Sequence, residues 1–143
     1  MISPILAKHL KGAGLTHELA ANDFFCIPDR GMDDMVFVIN DITVLIEEIN
    51  GQMAVTFHGT AEWALDHVVI SELVWLPSEE QLRQELEKHL VGEPEPAFVL
   101  ISTADGYRCE ISFKGEFLAF EAFGVSDVYG SALLYALQHP KGQ

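Results

Sequence analysis

The chain has 143 residues, the size of one domain and short for two. Hydrophobic residues make up 49% and charged residues 21%, which excludes a disordered chain and lets about two-thirds of the unfolded surface be buried without staples. Eight Lys and Arg against 22 Asp and Glu leave a formal net charge of -14, so nucleic acid and an anionic membrane surface would both be repelled.

Ser3-Pro4 offers an N-cap followed by proline at the first helical position, and Gly12 a stop, so a short helix is expected over 4–11. Thr16 caps a second, weaker turn through Ala21. The period then changes to two. Residues 35–39 are too apolar for a solvated edge and read as a buried strand. Residues 42–49 and 53–58 flank Asn50-Gly51, whose two positions both accept φ > 0, the strongest short-range signal for a hairpin. The β-branched run 68–76 closes that sheet as a fourth strand.

Ser78-Glu79-Glu80-Gln81 is a capping box, in which the serine oxygen takes the Gln81 amide and the Gln81 side chain reaches back. Leu82, Leu86 and Leu90 make a narrow apolar stripe, Glu79 stands one turn before Arg83, and Gly92 ends the helix. Residues 97–102 read as a buried strand, turned at Asp105-Gly106. In the next strand Tyr107, Cys109, Ile111 and Phe113 alternate with Arg108, Glu110, Ser112 and Lys114, so one face meets water. Lys114-Gly115 turns into a strand over 117–123. Ser126 then caps a last helix carrying Tyr129, Ala132, Leu133, Ala136 and Leu137 on one face.

A helical start, four strands, a helix, three strands and a helix define an α+β protein: a mostly antiparallel sheet with helices on one face. The chain is read as a single domain, 1–143, that admits a two-lobed organisation at 1–76 and 77–143. Acids divide evenly between these halves, eleven in each. The first residues, Met1-Ile2-Ser3-Pro4-Ile5-Leu6-Ala7-Lys8, have no basic stretch and no long apolar one. Two cysteines are too few for a disulfide framework, and a soluble cytoplasmic protein is expected.

Three stretches resemble known families. Residues 6–20 resemble the first two helices of a helix-turn-helix, but a recognition helix must follow, and Asp23-Phe24-Phe25-Cys26-Ile27-Pro28 stands there instead. Residues 78–138 resemble the α-β-β-β-α order of double-stranded-RNA-binding domains. That family grips phosphates with lysines at the start of its last helix, where this chain has Val125-Ser126-Asp127-Val128-Tyr129-Gly130, so RNA binding is set aside. Trp75-Leu76-Pro77, the 107–123 hairpin and the helix at Ala132-Leu133-Leu134-Tyr135-Ala136-Leu137 resemble small α+β sandwich domains of uncharacterised phage- and prophage-related proteins. That resemblance, over 75–138, implies a genomic neighbourhood more than an activity.

Chemistry-bearing motifs are sparse. The six histidines form no His-x-x-x-His, the cysteines no Cys-x-x-Cys, and no nucleophile elbow or phosphate-binding loop is present. His58, Glu62, Asp66 and His67 are the best candidate metal ligands, with Glu62 and Asp66 on one face if Thr60 opens a helical turn. Asp29, Asp33 and Asp34 bunch around Gly31 in an order unlike a calcium loop. Cys109 reads as inert core and Cys26 as the more exposed thiol. Trp63 and Trp75 are candidate anchors for a protein interface, with core filling as the plainer role.

No cofactor is called for, and catalysis is not expected. The first functional expectation is a non-enzymatic protein-interaction or self-associating module of bacterial or phage-like origin, because sheet edges must be covered and a homodimer covers them. The second is an acidic inhibitor of a basic partner, an immunity protein or nucleic-acid mimic, steered by charge. The third is a small metal-dependent enzyme using the His58–His67 region.

Overall fold

The computed structural model describes residues 1–31, 35–58 and 67–142. Its elements in chain order are α1 (Pro4–Gly12), β1 (Phe24–Cys26), β2 (Phe37–Val38), β3 (Val44–Ile49), β4 (Gln52–Phe57), β5 (His67–Val69), a 3-10 turn (Ile70–Glu72), β6 (Val74–Leu76), α2 (Glu79–His89), β7 (Phe98–Thr103), β8 (Gly106–Phe113), β9 (Glu116–Ala122) and α3 (Val125–Gln138). The class is α+β, as expected. Among the described residues no helix is long and apolar enough to cross a membrane.

In place of one sheet there are three, each antiparallel and three-stranded, ordered β2-β1-β6, β3-β4-β5 and β7-β8-β9. The chain divides into two compact units: a terminal unit, Met1–Leu15 with Pro77–Gln143, and a central unit, Thr16–Leu76. The opening helix therefore belongs with the second half of the sequence.

In the terminal unit, α1 starts where Ser3 Oγ accepts the Leu6 amide, with Pro4 in its first turn. The Ser78–Gln81 capping box of α2 forms reciprocally, at 3.2 and 2.9 Å. Arg83 pairs with Glu87 at 2.8 Å rather than with Glu79. The N-cap of α3 is Gly124, not Ser126, which is the second residue of the helix, buried, with its hydroxyl unpartnered among the described residues. Asp127 Oδ1 instead accepts the Ser3 amide at 2.8 Å and ties α1 to the start of α3. The two helices touch at Gly130, where a Cβ would stand 2.8 Å from a Leu6 methyl and 3.1 Å from one of Ile2.

The alternation expected of β8 holds: Cys109, Ile111 and Phe113 are buried beneath the helices with Leu82, Leu86 and Leu133. Lys114 and Gly115, at φ 54 and 77, make the left-handed turn into β9. The preceding turn is Ala104-Asp105, one residue earlier than expected. Gly106 serves a different purpose, since a Cβ there would meet the Ala122 carbonyl and stand 2.9 Å from Phe123 Cα.

In the central unit, two small sheets share a core of Leu19, Phe25, Ile27, Ile39, Val55, Val68 and Leu73. Asn50 and Gly51, at φ 51 and 80, form the expected hairpin. The second helical turn at 16–21 is absent. Only Phe37–Val38 of the 35–39 run is strand, half-buried at a sheet edge, with Met35 and Val36 exposed. The next strand starts at Val44, because Asn40 Oδ1 accepts the amides of Ile42, Thr43 and Val44 and bends the chain before it. The run 68–76 is two strands in two sheets, broken by the 3-10 turn. β1 was not expected, and it buries Cys26 against the exposure anticipated for that thiol.

Candidate functional site

α3 packs on one face of the terminal unit's sheet, and the register defines the other. Ile101, Arg108 and Glu121 line up across the three strands, next to Val99, Glu110 and Ala119, with Ser112 opposite Phe117. Arg108 sits in the middle row, donating from Nε to Glu110 at 2.8 Å and from Nη1 to Glu121 at 3.3 Å. Those two bonds raise its pKa further above the usual range, so the centre of the face carries a charge already paired. The rims are apolar: Val99 and Ile101 on β7 are 37% and 38% exposed, and Phe117 on β9 is 68% exposed. β7, read as a buried strand, is thus an edge strand with one open face. Its continuous apolar run gave no sign of this, because an edge whose inner face packs and whose outer face awaits cover has the same composition as a buried strand.

Two open depressions of about 430 Å³ lie on the same unit. One is lined by Thr103, Asp105, Tyr107, Glu121 and Phe123, the other by Glu87, Leu90, Glu93, Glu95 and Phe98. In the second, the Glu93 carboxylate accepts the Lys114 amide at 2.8 Å and pairs with Lys141 Nζ at 3.0 Å. These bonds hold its pKa below the usual value. Cys109 is fully buried and burial pushes its thiol up to about 11, so it is no nucleophile at neutral pH.

Of the expected metal ligands, His58 and His67 are among the described residues of the central unit. His67 on β5 stands opposite Thr56 on β4, and His58 follows β4 on the same face. Thr56 Oγ1 donates to Glu47 at 3.0 Å and meets His58 Nε2 at 3.0 Å. Because the hydroxyl has one proton and gives it to the carboxylate, His58 must donate from Nε2. Thr56 is only 5% exposed, so its hydroxyl is closed to a substrate and the trio joins neighbouring strands. Glu62 and Asp66 lie outside the described residues, as do Trp63, Asp33 and Asp34. Among the described residues no three His, Cys, Asp or Glu side chains gather as metal ligands.

Trp75 is half-buried against the central core, its ring stacked on His17 at 3.8 Å between centroids. His17 Nε2 meets Asp23 Oδ2 at 2.7 Å, and that oxygen also accepts the Ala20 amide at 2.8 Å. Trp75 Nε1 is buried without a hydrogen-bond partner among the described residues. Trp75 thus stands at the border of the central core.

Comparison with protein-family models, curated proteins and solved structures returned no match.

Proposed function

We propose that the chain is a non-enzymatic protein-interaction module that associates with itself. One observation carries this reading: the sheet β7-β8-β9 ends in β7, an edge strand without charge whose Val99 and Ile101 are exposed. Covering Val99 and Ile101 removes apolar surface from water at about 25 cal/mol per Å².

Sedimentation velocity across about a hundredfold range of concentration tests the reading, since a self-associating chain changes its mass with concentration. A dimer or larger species is expected as concentration rises. A monomer throughout that range removes self-association from consideration.

A further inference from the structure

We propose that β7 is the seat of this self-association, pairing antiparallel with β7 of a second copy so that two three-stranded sheets continue as one. The inference rests on the self-association reading and names its surface. Three observations converge on it.

The first is backbone chemistry. Ser112 donates its amide to the Ala97 carbonyl directly opposite at 2.9 Å, which fixes the parity of the β7–β8 ladder. Hydrogen-bonded pairs alternate along an antiparallel ladder, so Val99, Ile101 and Thr103 bond β8 while Phe98, Leu100 and Ser102 turn N–H and C=O outward. Among the described residues no backbone group of another element meets them. The groups best placed to satisfy such a row belong to another strand.

The second is charge. Residues 97–104 contain no ionisable side chain, and no proline or glycine interrupts them, in a chain of net charge -14. The opposite edge, β9, carries Glu116 and Glu121. Natural edges are protected by charge, proline or a bulge, and the β7 run has neither charge nor proline. Between two copies of so acidic a chain, an uncharged edge is where self-contact costs least repulsion.

The third is register. A two-fold axis through Leu100 pairs all the outward residues among themselves, Leu100 with Leu100 of the second copy and Phe98 with its Ser102. A shift by one residue would instead leave Phe98 facing the Ala104 turn. The same register sets Val99 beside Ile101 of the second copy in the closer, non-hydrogen-bonded pairing, so that both apolar rims merge on the open face. Each copy also brings a net charge of -14 to the contact. These like charges make the dimer tighten as salt is added, the reverse of a complex with a basic protein.

The test compares the full chain with I101E and F117E by sedimentation, each variant checked by thermal melting. It also follows backbone amide exchange in the unsubstituted protein at low and high concentration. Ile101→Glu is expected to weaken the dimer at least about tenfold, whereas Phe117→Glu leaves it in place. The amides of Phe98, Leu100 and Ser102 should gain protection as concentration rises. A dimer that survives Ile101→Glu, or one whose Leu100 amide exchanges as fast at high concentration as at low, overturns the β7 assignment while self-association stands. A chain that is monomeric without substitution overturns both. Should the Ile101 variant unfold, the amide exchange of the unsubstituted chain decides alone.

Discussion

Gly106 has two reasons to lack a side chain: φ is 151, and the space beside its Cα is filled by the backbone at Ala122 and Phe123. Backbone cannot swing aside as a methyl can, so Gly106→Ala should cost about 1–3 kcal/mol, read as a lower urea midpoint. Gly130 differs, because its neighbours are the flexible ends of Leu6 and Ile2. His89 gives the terminal unit a pH response. Burial lowers its pKa from 6.5, Lys141 and Lys88 lower it further, and Glu85 opposes them. The unfolded chain then takes up the proton more readily than the folded one, so this stabilisation is complete above 6.5 and is lost as pH falls below it. An NMR titration should place the His89 midpoint under 6.5, and His89→Gln should flatten the stability profile between neutrality and about pH 5.

At the scale of elements, α2 is anchored by Leu82 and Leu86, both fully buried. Leu86→Ala should cost about 2–5 kcal/mol in urea denaturation, and a loss within the scatter of surface substitutions would detach this helix from the core. α2 was legible because its signals are local: a capping box, a leucine stripe, a glycine after the last turn. The Asn50-Gly51 and Lys114-Gly115 turns were legible for the same reason. β1 was not, and β5 and β6 were read as one strand. They are three residues long, and β1 exists because Phe24 finds Leu76 and Val38, positions far along the chain whose pairing no local pattern announces. The break between β5 and β6 did leave a trace in Ser71-Glu72, two polar residues inside an apolar run. β7 was legible as a strand but was read as buried, because its edge position depends on the order of the strands.

On the scale of the whole molecule, the acids are spread evenly along the chain, and several cations are taken up locally: Arg83 by Glu87, Lys88 by Glu85, Arg108 by Glu110 and Glu121, Lys141 by Glu93. Two such bodies approach each other against their own field, which is why the salt dependence of the mass is as informative as the mass itself. The contact between α1 and α3 has a consequence for synthesis. Ile2 and Leu6 pack at Gly130, and the Ser3 amide bonds Asp127, so the helix made early in translation docks on the helix made late. The strands of the central unit, in contrast, have every partner described here once Leu76 has left the ribosome. The nascent polypeptide can therefore complete its middle first, while α1 waits for α3 to emerge.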